Sequence, residues 1–220
     1  MAKMRGKVLG LYLGDLSDTK HYVKLWLGLG EPFDTKHFEE RYAKEDPFNY
    51  ENSPYDELKR QLVRFGFGDE YRQRLLDVGS GEGYLAAHLR DKFDSIDLLD
   101  ASGAAVERAR ARVDRPGFDL PGDLLTILPT LEEGAYDGIV VSEVFYYLGP
   151  VPFGRKDRLI RNALARALRP GGRLVLVHPL PQLYHATWRR DSRFSIEGRA
   201  VLNTGRNVEM LALNRTSRPA

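Results

Sequence analysis

Cysteine is absent from all 220 residues. No disulfide staples this chain, and no thiolate can act as nucleophile or metal ligand, which fits a cytoplasmic protein. Long hydrophobic runs are lacking as well: nothing approaches the ~20 apolar residues that span a bilayer. The opening Met1-Ala-Lys-Met-Arg-Gly-Lys7 has the basic head of a signal peptide. The apolar run from Val8 to Leu13 is only six residues long, however, and Asp15 stands where a small-residue cleavage site belongs. The expectation is a soluble protein without a membrane partner. A strong net charge is missing too. The balance of +2 gives no general field for nucleic acid or an anionic surface. A local exception is the tail, which carries Arg189, Arg190, Arg193, Arg199, Arg206, Arg215 and Arg218 with few acids between them. A solvated surface with a frayed end is preferred there over a binding patch. There is no His-Glu-x-x-His, and the five histidines show no clustered ligand spacing, so no metal is expected.

What is present is an ordinary globular composition, 42% hydrophobic and 29% charged, in a chain long enough for one α/β domain. Residues 1–70 are rich in aromatics and charge and read as a helical lid or extension. One helix there is well marked: Ser53 as cap, Pro54 in the first turn, Tyr55, Leu58, Leu62 and Phe65 at helical spacing, and Gly66 and Gly68 as stop. From Arg74 onward short apolar strands alternate with amphipathic helices. Leu75 to Val78, Ile96 to Leu99, Ile139 to Val141 and Leu174 to Val177 read as strands. Tyr84 to Phe93, Ala104 to Val113 and the run from Leu159 to Leu168 read as helices. Pro116 to Pro121 holds two prolines and suits only a short edge strand. Val201-Leu202, Thr204-Gly-Arg-Asn207 and Val208 to Leu213 form a hairpin signal. The predicted fold is α/β: a Rossmann-like, seven-stranded, mostly parallel sheet in residues 71–220, helices on both faces, and an antiparallel C-terminal hairpin strand.

The strongest local signal is Asp77-Val-Gly79-Ser80-Gly81-Glu-Gly83, directly after a strand and opening a helix. Glycine lets the backbone turn tightly and approach a ligand where a Cβ would collide. Asp100 ends the next strand 17 residues beyond Gly83, near the separation at which a carboxylate grips ribose hydroxyls. A dinucleotide fingerprint needs its third glycine at the position held by Tyr84. The missing glycine favours an adenosine cofactor without a pyrophosphate.

With these residues in hand, the run from Leu75 through Val177 resembles the class I methyltransferases that use S-adenosylmethionine (SAM) and release S-adenosylhomocysteine. Asp77 to Gly83 is similar to their first motif, Tyr136-Asp-Gly-Ile-Val-Val141 to their fourth strand, and Leu168-Arg-Pro-Gly-Gly-Arg-Leu174 to the turn before the fifth. The resemblance implies that Gly79, Ser80, Gly81 and Gly83 pass the cofactor, that Asp77 orients its amino-acid end, and that Asp100 with Ala101 meets the ribose. It also implies that Asp123 with Leu124 borders the adenine, a loop acid being the equal rival for Asp123. Phe38 to Tyr42, Asp46 to Tyr50 and Ser53 to Lys59 resemble the amino-terminal lid of the nodulation-factor N-methyltransferases, and Ser142 to Leu148 is similar to the segment after their fourth strand. Those enzymes methylate an amine of a chitin oligosaccharide.

The chemistry is expected beyond the carboxyl ends of the strands. His178, Glu143 and Tyr146 are the catalytic candidates, with Ser142 beside the cofactor and Tyr55 closing over it. His178 is read either as a base or as a histidine bonded to the Pro179 turn; Glu143 either as an acceptor-side acid or as a cap. Tyr147 shares its segment with Tyr146, and His185 with Trp188 is placed on the acceptor side. The expected partner is a small molecule methylated on nitrogen or oxygen, by a monomer or homodimer. Nucleic acid is disfavoured, because Ser142-Glu143-Val-Phe145 replaces the Asn/Asp-Pro-Pro-Tyr tetrapeptide of nucleic-acid amino-methylating enzymes. Alternatives are an NAD(P)-dependent oxidoreductase, a SAM-binding module without catalysis, and an RNA methyltransferase using the arginine-rich tail.

Overall fold

A computed structural model describes residues 7–8, 11–12, 34–148, 154–179, 183–203 and 207–217. Seven strands form one sheet: β1 Arg72–Val78, β2 Phe93–Asp100, β3 Asp119–Pro121, β4 Tyr136–Ser142, β5 Leu168–Pro179, β6 Phe194–Asn203 and β7 Asn207–Arg215. Side by side they run in the order β3-β2-β1-β4-β5-β7-β6. β1 to β5 are parallel, and β7 pairs antiparallel with both β5 and β6. This is the predicted seven-stranded, mostly parallel sheet, with the last strand inserted inside the edge rather than on it. Lys7–Val8 and Leu11–Tyr12 pair as a separate two-residue ladder. The basic head at Met1 and the hairpin turn at Thr204-Gly205-Arg206 lie outside the described residues.

The helices are α1 Thr35–Arg41, α2 Pro54–Phe67, α3 Tyr84–Leu89, α4 Gly103–Val113, α5 Leu124–Ile127, α6 Arg155–Ala167 and α7 Leu183–Arg189. Strands buried on both faces carry unbroken apolar stretches, as at Leu75–Leu76 in β1, Ile139–Val141 in β4 and Leu174–Val177 in β5. Leu75, Val140, Val175 and Met210 pack against Val63 and Phe67 of α2, Leu89 of α3 and Ala109 of α4. On the other side, Leu76, Ile139, Leu176 and Leu211 pack against Ile160 and Leu164 of α6 and Trp188 of α7. Each such large side chain contributes ~1.5–3 kcal/mol by leaving water.

Helix α2 starts as its sequence predicts, with Ser53 Oγ accepting from the Asp56 amide at 3.2 Å. Its buried stripe differs. Leu58 and Phe65 are exposed, and Leu62, Val63, Gly66 and Phe67 face inward. The helix passes through Gly66 and ends at Gly68, φ 71°. Gly66 is a packing device: a Cβ there would stand 3.0 Å from Val175 Cγ1 and 3.1 Å from Met210 Sδ, so its bareness lets α2 lie close on the sheet. Helix α3 is also shorter than its pattern suggests, because Phe93 opens β2 and meets Phe67 edge-on.

Register places the site. Val78 stands opposite Leu99 on one side and Val141 on the other, and Ser142 opposite Val177. The carboxyl ends of β1, β2, β4 and β5 are therefore level. The chain leaves β1 toward β2 and returns to β4 on the opposite side, which makes the gap between β1 and β4 the topological switch point. Among the described residues no helix is long and apolar enough to cross a membrane.

Candidate active site

The glycine turn follows β1 at that switch point. Gly79, Gly81 and Gly83 adopt φ of 74°, 51° and 77°, a region that side-chain-bearing residues avoid. The Gly79 and Ser80 amides both donate to the Leu99 carbonyl, at 2.7 and 3.0 Å, which ties the turn to the end of β2. Asp100 completes the tie: one carboxylate oxygen accepts from the Gly81 amide at 2.8 Å and the other from the Ser102 amide at 3.0 Å. The turn is also hemmed in. A Cβ on Gly79 would lie 2.3 Å from Val144 Cγ2, and one on Gly81 2.8 Å from the Tyr42 hydroxyl.

Two buried acids dominate the electrostatics. Asp77 is 1% exposed, and its Oδ2 has no hydrogen-bond partner; nor has the buried Ser80 hydroxyl beside it. Burial, then the charge of Asp100, raise the Asp77 pKa to about 7, with Lys59 pulling the other way. Burial raises Asp100 to about 6 against the pull of its backbone hydrogen bonds. An orphaned carboxylate oxygen beside bare backbone fits a cationic ligand, whereas a pyrophosphate would meet like charge. The residues present therefore fit a phosphate-free adenosyl sulfonium with an ammonium group.

Aromatic and acidic residues surround this turn. Glu39 of α1 accepts from the Ser102 hydroxyl at 2.9 Å and the Gly103 amide at 2.6 Å, capping α4 from outside. Glu82, inside the turn, accepts from the Asp46 amide at 2.8 Å and from Arg108 at 2.6 Å, while Arg108 also donates to the Tyr42 carbonyl at 2.7 Å. Tyr42, Phe48, Tyr50 and Tyr84 form a chain of ring contacts above, with centroids 5.4–6.0 Å apart. Burial raises the Tyr42 and Tyr50 pKa values well above that of a free phenol.

The segment after β4 packs over the glycine turn. Glu143 has φ 57°, rare for a residue with a Cβ and a mark of local strain. Its amide donates to the Val177 carbonyl at 2.8 Å. Its carboxylate accepts from the Tyr55 hydroxyl and lies 3.8 Å from Lys59 Nζ, which in turn pairs with Asp56 at 2.5 Å. Lys59 sits over the rings of Tyr50 and Tyr55. Tyr147 meets Phe38 of α1 edge-on. The Tyr146 side chain lies outside the described residues. Ser142, at the end of β4, and Ala101, after β2, are half-buried at the same end of the sheet. Asp123 is exposed and caps α5, accepting from the Leu125 amide and the Thr126 hydroxyl at 3.1 and 3.2 Å, and Leu124 behind it is buried.

His178 lies at the end of β5, fully buried. Its Nε2 faces the Phe145 amide at 3.4 Å and its Nδ1 faces His185 Nε2 at 3.3 Å. Burial holds its pKa well below the usual imidazole range. His185 and Trp188 are equally enclosed, Trp188 packing on Phe194. Lys59, Asp56, Glu39, Tyr42 and Glu209 escape a reading of motifs alone. Tyr42 and Lys59 sit within the lid segments whose pattern was recognisable. Glu209 left a different signal, an acid flanked by Val208 and Met210 in a strand that is otherwise apolar. Among the described residues no cluster of His, Asp and Glu suits a metal ion.

Comparison with known proteins agrees with this architecture. The family model described as "Methyltransferase domain" matches residues 50–210. A stretch of 132 residues is 36% identical to ribosomal RNA small subunit methyltransferase C of Chromohalobacter salexigens, covering 56% of this chain and 37% of that protein. Nodulation protein S of Rhizobium tropici is 27% identical over 134 residues, 60% of this chain and 55% of that protein. The chain thus spans little more than half of either relative at most. Among solved structures, N-methyltransferase NodS from Bradyrhizobium japonicum, in complex with S-adenosyl-L-homocysteine, matches with a TM-score of 0.69 at 17% identity, over 83% of this chain and 99% of that one. A SAM-dependent methyltransferase from Leishmania major matches with a TM-score of 0.65 at 18% identity, over 91% of this chain and 87% of that one. At those identities the likeness is one of fold.

Proposed function

The chain belongs to the methyltransferase-domain family, and on that premise we propose that it transfers a methyl group from SAM to a nitrogen or oxygen atom of a small-molecule acceptor. The observation that carries the reading is the unpartnered Oδ2 of Asp77, buried beside Asp100 over a glycine turn. Membership of this family also displaces the oxidoreductase alternative. SAM, when bound, supplies an electrophilic methyl group on a good leaving group, so the protein's task is alignment and exclusion of water. In this reading Asp77 holds the ammonium of the amino-acid end and Asp100 the ribose. Gly79, Ser80 and Gly81 let the backbone approach. Of the predicted 1–70 lid, the described residues 34–70 close over the cofactor, residues 13–33 lying outside the described residues, and 71–220 hold the core. Asp123 with Leu124 borders the adenine from the edge of the sheet.

Glu143 is the group we assign to the acceptor. It is half-buried at the switch point, oriented by the Tyr55 hydroxyl, and suited to receive an amine or to take a hydroxyl proton. A small acceptor is favoured over RNA by how the arginines of the tail are used. Arg189 and Arg199 pair with Glu209, and Arg193 with Asp191, so these guanidinium groups are already engaged by acids of the fold. Arg206 and Arg218 lie outside the described residues. We take the protein as a cytoplasmic monomer or homodimer. The test is a panel of amines, amino sugars, phenols and RNA incubated with methyl-labelled SAM. Label in an amine or hydroxyl compound is the expected result, and label in RNA alone would overturn the acceptor assignment. SAM binding without any transfer would mark a binding module, and stabilisation by NAD but not by SAM would overturn the whole reading.

A further inference from the structure

Behind the segment that follows β4 lies a file of three ionisable side chains to which methyl transfer assigns no task. Glu209 on β7 stands opposite His178 on β5 in the antiparallel register. His185 of α7 links them: His178 Nδ1 lies 3.3 Å from His185 Nε2, and His185 Nδ1 lies 2.8 Å from a Glu209 oxygen. None of the three is more than 1% exposed. The file ends on backbone, at the Phe145 amide, and the Phe145 ring stacks on His178 with planes 12° apart.

Both ends impose the same placement of protons. A backbone N–H only donates, so His178 Nε2 must accept and the proton of the neutral ring sits on Nδ1. At the other end burial would raise the Glu209 pKa, but hydrogen bonds from His185 and Arg199 hold it at about 2. An ionised carboxylate only accepts, so the His185 proton sits on Nδ1 and its Nε2 is free to accept from His178. The two deductions meet in the middle without conflict. Every bond points from the Phe145 amide toward Glu209. An added proton on His185 would turn its Nε2 into a donor facing the His178 N–H and break the file. Burial disfavours a proton on His185 and Arg189 and Arg199 add to that, and together they outweigh the pull of Glu209; burial, His185 and Lys59 disfavour one on His178.

The geometry points to Glu209 as a positioning residue: acting through His185, it keeps the His178 proton on Nδ1, so that Nε2 holds the Phe145 amide and the Glu143–Tyr147 segment stays seated on the glycine turn. Val144 of that segment fills the space over Gly79, and Glu143 carries the strained backbone that such an anchor must sustain. The importance of the segment rests on the methyltransferase reading; the proton file does not. His178 then serves as an anchor facing the backbone, and the acceptor-side chemistry falls to Glu143.

The experiment uses the full chain with 15N-labelled histidine. His178 and His185 are both expected as Nδ1–H tautomers that do not titrate between about pH 6 and 8. His185→Leu should release the tautomer and speed exchange of the Phe145 amide about three- to tenfold. His185→Gln offers a carbonyl to His178 and an NH2 to Glu209, and should return that amide to within about twofold of the wild type. Should His185→Leu not fold, Glu209→Gln serves, because its amide both donates and accepts and lets His185 populate both tautomers. An Nε2–H or titrating His178, an unmoved Phe145 amide in His185→Leu, an unmoved His185 tautomer in Glu209→Gln, or His185→Gln no better than His185→Leu would each overturn the assignment. Calorimetry with SAM on the same wild-type sample separates the two readings: no heat there removes the methyltransferase site and leaves the tautomer result standing.

Discussion

Asp77 on β1 is held protonated up to about pH 7 by burial and, next, by the charge of Asp100 at the end of β2. The folded protein keeps a proton there that the unfolded chain, with a carboxyl near 3.8, has lost. Stability from this residue is therefore lost as pH rises from about 4 to 7, the reverse of the usual carboxylate. Asp77→Asn keeps the shape and removes the buried charge. Its Tm at pH 8 should exceed that of the wild type by several degrees, at about 2–4 °C per kcal/mol for a chain of this size. SAM affinity should fall more than about tenfold in the same variant. A lower Tm at pH 8 with unchanged affinity would remove Asp77 from the site.

The same carboxyl links binding to protons. At pH 6 it is mostly protonated, and an ammonium needs it ionised, so SAM binding should release a proton there and release little at pH 8.5. Affinity accordingly rises between those limits. Titration calorimetry in two buffers of different ionisation enthalpy measures the release; buffer-independent heats at pH 6 would contradict the assignment.

Asp100→Ala removes the acceptor for the Gly81 and Ser102 amides and, with it, the ribose contact proposed above. Affinity for SAM should drop more than about tenfold, since a contact to a charged group is worth ~1.5–3 kcal/mol. The glycine turn should loosen, visible as faster amide exchange at Gly81. Unchanged affinity in a folded variant would move the cofactor elsewhere.

Glu39 fastens α1 to the amino end of α4. Glu39→Ala deletes that external cap, at a cost of about 1 kcal/mol. SAM dissociation, followed by stopped flow, should speed up severalfold with little change in association. An unaltered dissociation rate would show that α1 takes no part in retention.

Glu143→Gln keeps the side-chain volume and its contact with Tyr55 while removing the charge. Turnover should fall by about 10²-fold or more if the carboxylate handles the acceptor proton. SAM affinity should stay within about twofold. Equal losses in both would make Glu143 a cofactor ligand.

The sheet was legible from sequence because strands buried on both faces write themselves as unbroken apolar runs, as at Ile139 to Val141 and Leu174 to Val177. The two prolines limited β3 to three residues at the edge, as their chemistry requires. The stripe of α2 was misjudged for a physical reason: Gly66 reads as a helix stop, yet its missing Cβ is what admits the helix to Val175 and Met210. Within the site, the glycine turn and Asp100 were readable because backbone approach and strand ends have fixed spacings. Glu39, Lys59 and Glu209 were not. Each works through partners at least 60 residues away or across packed helices and strands, and local spacing carries no trace of such meetings.

The insertion of β7 between β5 and β6 has a consequence for synthesis. Strand β7 follows β6 in the chain yet fills the place between β5 and β6, so until residue 215 has emerged from the ribosome β5 shows a bare hydrogen-bonding edge and β6 has no neighbour. Such an edge invites pairing between nascent chains. Premature termination upstream of Asn207 should therefore yield aggregates instead of a smaller folded protein.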